Sequence, residues 1–117
     1  MKIIIAGSRT FSNYSLFKKK IDQVLQNIKH PEIISGCASG ADSLAIKYAV
    51  KHEIPCHKMP ADWKNYGLAA GYIRNTEMAD IANMLIAFWN GKSKGTRHMI
   101  KIAKEKKLET IIFNTEK

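Results

Sequence analysis

Three stretches of the chain run apolar with little interruption: Ile3-Ile4-Ile5-Ala6, Met84-Leu85-Ile86-Ala87-Phe88 and Thr110-Ile111-Ile112-Phe113. The first two runs predict central strands buried on both faces, as in a parallel sheet, and the third predicts the last strand. Between them the apolar spacing changes to that of a helix. Phe17, Ile21, Val24, Leu25 and Ile28 form one stripe, with Lys18, Lys19, Lys20, Asp22 and Gln23 mostly off it. Asn13 or Ser12 can cap this helix, and His30-Pro31 stops it. A second strand is predicted over Glu32–Ser35, and a second helix over Ala41–Lys51 carries Ala41, Leu44, Ala45, Tyr48 and Ala49. A third strand is predicted over 54–59. It contains Pro55, which cannot donate to a ladder, so it belongs at a sheet edge. Pro60-Ala61-Asp62-Trp63 reads as a loop, and 68–82 as a helix with Tyr72, Ile73, Met78, Ala79 and Ile81. After the strand at 84–88, a Gly-bracketed loop from Trp89 to Gly95 leads into a helix capped by Thr96 and running to about residue 106.

Five strands alternating with four helices predict an α/β fold, Rossmann-like and doubly wound, with right-handed crossovers over a parallel five-stranded sheet. The most apolar strands, first and fourth, belong at the centre and the proline-bearing third at an edge. The order 3-2-1-4-5 satisfies both. In such a sheet ligands bind outside the carboxyl ends of the strands, where the winding reverses between strands one and four. Gly7-Ser8-Arg9 and the Trp89–Gly95 loop lie there, and the turn Ser35-Gly36-Cys37-Ala38-Ser39-Gly40-Ala41-Asp42 lies beside them. The convergence of three Gly loops, rather than any one of them, predicts a site.

That turn joins a strand to a helix, where unpaired backbone amides and the helix dipole favour an anion, most often phosphate. Gly36 and Gly40 permit close approach of a ligand; the competing reading is a plain tight turn. Arg9, directly after a central strand, is a candidate phosphate contact. Asp42 in the first helical turn either caps the dipole or accepts from a ribose hydroxyl. Arg74 sits among Tyr72, Ile73 and Met78, where a charge needs a partner; Glu77 one turn on could supply it, and Asn75 is adjacent. Arg97 and His98 fall in the first turn of the last helix, the wrong end of the dipole for cations unless an anion binds there. Trp89 and Trp63 flank loops near the crevice. Either can stack on a base, although Trp63 reads more simply as packing.

Composition narrows the ligand class. The 117 residues fit one domain over 1–117, and a net charge of +9 favours acidic partners such as nucleotides, nucleic acid or phosphorylated metabolites. Clusters such as Lys18-Lys19-Lys20 also read as solvated helix faces. No window approaches the roughly 20 apolar residues of a membrane span. The opening Met1–Ala6 stretch is too short for an export signal, so a cytoplasmic protein is expected. Cys37 and Cys56 have no metal-ligand spacing and read as free thiols, as His30, His52 and His57 read as structural or exposed. No metal or cofactor is expected.

Gly7-Ser8-Arg9, Ser35-Gly36-x-Ala38-x-Gly40-Ala41-Asp42, Pro60-Ala61-Asp62-Trp63, Gly71-x-Ile73-Arg74-Asn75-x-Glu77-Met78 and Gly91-x-x-x-Gly95-Thr96 occur in this order. Over nearly the whole chain the pattern resembles the SLOG superfamily, in its small single-domain bacterial and phage branch. Its relatives include the Lonely Guy phosphoribohydrolases and the sensor domains of nucleotide-based immunity systems. The resemblance implies a domain that binds a nucleotide or nucleotide-derived molecule, and by analogy a homo-oligomer. Lonely Guy enzymes carry Pro-Gly-Gly-x-Gly-Thr-x-x-Glu with a catalytic glutamate. Here Gly95-Thr96-Arg97-His98 is followed by Met99, while Arg74 matches the motif's arginine partner. The phosphate-binding skeleton is retained and the expected carboxylate is absent; Glu77 and Asp42 are the candidates to replace it.

Three functions follow from this reading. The first is a binder, sensor or sponge, for an ADP-ribose-like or cyclic-nucleotide signal. The second is a nucleoside monophosphate phosphoribohydrolase using Arg74 and Glu77. The third, and the least favoured, is a nucleic-acid binder. The ligand site expected in each small-molecule case comprises Gly7, Ser8, Arg9, Gly36, Ala38, Ser39, Gly40, Asp42, Arg74, Asn75, Glu77, Trp89, Gly95 and Thr96.

Overall fold

In the computed structural model, which describes residues 1–115, the chain order is β1 (Lys2–Gly7), α1 (Tyr14–Leu25), β2 (Glu32–Ser35), α2 (Ala41–Lys51), β3 (Cys56–Lys58), α3 (Trp63–Tyr66), a 3-10 turn (Gly67–Ala69), α4 (Ala70–Ile81), β4 (Met84–Trp89), α5 (Lys94–Glu105) and β5 (Glu109–Asn114). All strand pairs are parallel and the sheet order is β3-β2-β1-β4-β5, as the apolar runs and Pro55 predict.

The continuous apolar runs are explained by two layers. Ile3 and Ile5 of β1, with Met84, Ile86 and Phe88 of β4, pack under α1 and α2 around Phe17, Ile21, Ala45 and Tyr48. Ile4, Ala6, Leu85 and Ala87 point the other way, onto Met78 and Ala79 of α4 and Met99, Ile100 and Ala103 of α5. Successive strand residues face opposite sides, so a strand covered on both must be apolar throughout. Phe88 anchors the first layer, with ring centroids 4.9 Å from Phe17, 5.2 Å from Phe11 and 5.3 Å from Phe113.

Four elements differ from the expected bounds. β3 spans three residues, not 54–59: Pro55 lies before it and accepts from Ile33 N–H through its carbonyl. The predicted loop at 60–63 ends in a helical turn, because the Asp62 carboxylate accepts from Asn65 N–H and starts α3. The segment 68–82 is a 3-10 turn followed by α4. The last helix is capped by Ser93 rather than Thr96. Asn90 Oδ1 accepts from the N–H groups of Lys92 and Ser93, Trp89 Nε1 donates to Ser93 O, and Ser93 Oγ accepts from Thr96 N–H. Helix α5 therefore starts at Lys94. Gly95 and Thr96 lie inside its first turn, Arg97 ends that turn and His98 lies beyond it.

Candidate functional site

The site forms where β1 and β4 diverge at their carboxyl ends. Gly7 pairs with Phe88, and any side chain there would strike the Phe88 carbonyl at 2.2 Å. Ser8 N–H donates to Phe88 O (2.9 Å), and Ser8 Oγ accepts from Asn90 N–H (3.1 Å). Buried Ser8 thus stitches the two loops together, leaving Arg9 at the exposed rim.

Two cavities open over these loops. The first, about 240 Å³, is floored by Ala6, Met78 and Met99. Its walls include Gly7, Arg9, Asp42, Arg74, Asn75, Gly95 and Thr96, and Trp63, Leu68 and Tyr72 stand at its mouth. The second, about 340 Å³, lies over Gly36, Cys37, Ala38 and Ser39, facing Pro60 and Ala61. Arg9, Ala38, Trp63 and Arg74 line both. The Arg9 guanidinium stands 6.0 Å from the centroid of the Trp63 ring, a cation–π distance.

Arg74 projects from α4 and is 9% exposed. Its Nη1 donates to Gly36 O in a short hydrogen bond, and its Nε donates to Asn75 Oδ1 (3.1 Å). Burial holds its pKa below the usual arginine value, opposed by the nearby Asp42 charge. Among the described residues no carboxylate forms an ion pair with it, so a buried positive charge faces the cavities. Gly36 makes this possible: a methyl group there would lie 2.5 Å from Arg74 Nη1 and 2.9 Å from Asp42 Oδ2.

Asp42 is 6% exposed, and burial pushes its carboxyl above the ordinary aspartate value despite Ala38 N–H, Arg74 and Arg9, which pull it down. Its Oδ2 accepts from Ala38 N–H at 3.2 Å, while Ser35 Oγ accepts from Cys37 N–H at 3.2 Å. The turn is therefore less of a bare backbone cradle than its glycines imply. The amides of Cys37, Ala38 and Ala41 are already paired, the last to Ser8 O, and the cationic wall comes from Arg9 and Arg74. Cys37 holds this turn at φ +65°.

Asn75 joins α4 to the start of α5: its Nδ2 donates to Gly95 O and to His98 Nδ1, each at 3.2 Å. His98 also stacks on Tyr72, with centroids 4.3 Å apart. With Nδ1 accepting, the ring is the neutral Nε2–H tautomer. Burial and Lys101 hold its pKa below the usual histidine value, so it is not the misplaced cation its position suggests. Arg97 lies against the Trp89 ring, 5.8 Å from its centroid. Of the first-turn amides of α5, that of Thr96 is taken by Ser93, and those of Lys94 and Gly95 have no intrahelical acceptor.

Of the residues expected at the site, Gly7, Arg9, Ala38, Asp42, Arg74, Asn75, Gly95 and Thr96 line the first cavity; Gly36 and Ser39 join Arg9, Ala38 and Arg74 in the second. Four stand elsewhere. Ser8 and Gly40 lie beneath the lining, Glu77 is solvent-exposed on α4, and Trp89 is turned toward Ser93 and Arg97. Glu77 cannot pair with Arg74 as proposed, because Arg74 is directed inward to Gly36 O. Conversely, Trp63 is a wall of both cavities rather than packing. Tyr72, Met78, Ser93 and Met99 also line the first. The five ordered motifs flagged Trp63 and Met78; nothing local to the sequence pointed Tyr72 at the site.

A doubly wound parallel sheet with an arginine-walled cleft at its switch point defines a Rossmann-like α/β domain. The sequence comparison specifies it further: the chain belongs to the YspA, cpYpsA-related SLOG family, whose profile matches residues 1–66. It is also similar to the Gene 61 protein of Mycobacterium phage D29. The two are 29% identical over 119 residues, spanning 96% of this chain and 95% of the phage protein. Family membership brings nucleotide-related binding with it as the coarse function. No helix among the described residues is long and apolar enough to cross a membrane.

Proposed function

We propose that the protein binds a phosphate-bearing, nucleotide-derived small molecule, ADP-ribose-like or a cyclic nucleotide, as a sensor or sponge and without cleaving it. The observation that carries this reading is Met99 in the cavity floor, 1% exposed, at the position where Lonely Guy hydrolases place their glutamate. A thioether can neither take a proton at neutral pH nor stabilise an oxocarbenium-like charge. Losing such an acid–base group costs ~10²–10⁴-fold in rate. Arg9 and Arg74 at the wall shared by both cavities suit the charged phosphates of a two-armed ligand. The Trp63, Leu68 and Tyr72 mouth suits a base. This role belongs in the cytoplasm.

The hydrolase alternative rests on Asp42, one of the two carboxylates the sequence suggested, because Glu77 is exposed to solvent. Among the described residues Asp42 is the only Asp or Glu that lines the first cavity, and burial raises its pKa. The test is native mass spectrometry of protein purified from cells. Incubation with nucleoside monophosphates and ADP-ribose follows, with free base measured by chromatography. Ligand recovered intact supports the binder; multiple turnover that disappears in Asp42→Asn overturns it.

A further inference from the structure

We infer that Asn75 and His98 are positioning residues: together they hold the Arg74 guanidinium in place for the ligand, and protonation of His98 releases it. The effect on affinity rests on the phosphate-binding reading above, while the coupling itself rests on hydrogen bonds alone. Arg74 can only donate, and the Gly95 carbonyl can only accept. Asn75 Oδ1 accepts from Arg74 Nε at 3.1 Å and its Nδ2 donates to Gly95 O at 3.2 Å, so the amide has one orientation. That orientation presents Nδ2 to His98 Nδ1, also at 3.2 Å, and Nδ1 must be the acceptor. Asn75 lines the first cavity and Arg74 lines both, whereas His98 lines neither. The histidine therefore acts through the amide and not on the ligand.

A proton on Nδ1 sets donor against donor. Turning the Asn75 amide over gives no relief, because Nδ2 would then meet Arg74 Nε–H and Oδ1 would meet Gly95 O. If the ring leaves its stack on Tyr72, an Nδ2 proton of the buried Asn75 loses its acceptor; if the ring stays, the amide is pushed back. Either way Asn75 no longer braces Arg74 Nε. The guanidinium is then held only by the Nη1 bond to Gly36 O, and among the described residues its Nη2 has no hydrogen-bond partner. The charges acting on His98 from its own helix are Lys101 and Glu105, while Arg97 is drawn off onto Trp89. Helix α4, which packs against it, presents Tyr72 and Asn75, with Arg74 behind the amide. Burial and Lys101 disfavour the imidazolium, so the brace is closed at neutral pH.

Nitrogen NMR of the ligand-free wild-type chain tests the coupling without any variant. The Arg74 Nε signal should shift on acidification with the same midpoint as the His98 ring. It should stay still in His98→Asn, whose amide oxygen supplies a fixed acceptor where Nδ1 stood. Calorimetry with ADP-ribose, whose diphosphate does not titrate in this range, reads the consequence, in high salt to screen the added charge. A freed arginine must be re-ordered on binding, which costs about 3- to 10-fold in affinity for one long side chain. At pH 7.5 His98→Leu should bind weaker than wild type by that factor, and His98→Asn should match wild type. Below the His98 midpoint, wild type should fall behind His98→Asn by the same factor. Asp42 titrates in all three proteins and drops out of these ratios. An Arg74 Nε signal that ignores the His98 titration, the same shift in His98→Asn, or His98→Leu binding as tightly as His98→Asn at pH 7.5 would each overturn the inference. Absence of ADP-ribose binding at either pH would sink the ligand reading instead, and the NMR titration would still decide the coupling.

Discussion

Replacing Gly40 by alanine isolates the contact on which the site's geometry rests. Gly40 has φ +76° and ψ −132°, a region open in practice only to glycine, so a side chain there costs ~1–3 kcal/mol in strain. Its added methyl group would also lie 2.2 Å from Ser8 O and 2.6 Å from the Arg9 carbonyl carbon, both backbone atoms. Relief requires the Ser8-Arg9 segment to move by about 1 Å, an overpacking cost of ~1–3 kcal/mol. Ser8 O also accepts from Phe11 N–H (3.2 Å) and Ala41 N–H (3.3 Å), and these bonds stretch with it. The expected loss is ~3–5 kcal/mol, a large share of the ~5–15 kcal/mol typical of a domain. Urea unfolding should show it as a midpoint lower by about 1.5–3 M. Two other glycines calibrate the result. Gly91→Ala, at φ +81° but in open space, should cost only the backbone strain of ~1–2 kcal/mol. Gly95→Ala, inside α5 and also in open space, should stabilise by ~0.5–1 kcal/mol while adding a methyl group to the cavity. If Gly40→Ala costs no more than Gly91→Ala, the wedge between α2 and the β1 loop does not exist and the reasoning fails.

Arg9→Ala should weaken ADP-ribose binding by ~1.5–3 kcal/mol, the value of one charge-assisted hydrogen bond, in calorimetry on protein that still melts cooperatively. Asp42 is raised in the folded state, so its ionised form is destabilising above that value, and below the ordinary ~3.9 both states are protonated. Asp42→Asn, read by urea unfolding from pH 7 to 3, should therefore be more stable than wild type at neutral pH and lose that advantage as pH falls through the raised value. His98 has the opposite sign. Its folded pKa is lowered, so its contribution is present above ~6.5 and is lost as pH falls toward the lower folded value. Nitrogen NMR of the ring should report an unprotonated Nδ1 at pH 7, and a protonated Nδ1 there would contradict the bond from Asn75. Met99→Glu should destabilise by several kcal/mol, since it places a carboxylate at a 1% exposed position; calorimetric melting checks it, and a melting temperature near wild type would show that the floor is wet.

The sheet, its order and the location of the cleft were legible in the sequence because each depends on short-range signals that agree. A strand buried on both faces has no choice but an unbroken apolar run, as at Ile3–Ala6 and 84–88. Pro55 excludes the third strand from the centre. Glycines at 7, 36 and 40 mark turns where backbone meets backbone or a charged side chain. What the local pattern does not encode is which of two adequate groups takes a given partner. Ser93 and Thr96 are both good caps, and the Asn90 turn together with the Trp89 bond to Ser93 O decides for Ser93. Arg74 and Glu77 are one turn apart on α4 and look paired in sequence. Packing against Gly36 and Asn75 draws the arginine inward and leaves the glutamate in solvent. Asp42 turns its carboxylate onto Ala38 N–H instead of leaving that amide for a ligand. Such choices are made by contacts between segments up to 38 residues apart. They are set only when α4 and α5 close over the sheet, because a buried polar group takes whichever partner the packed structure brings within reach.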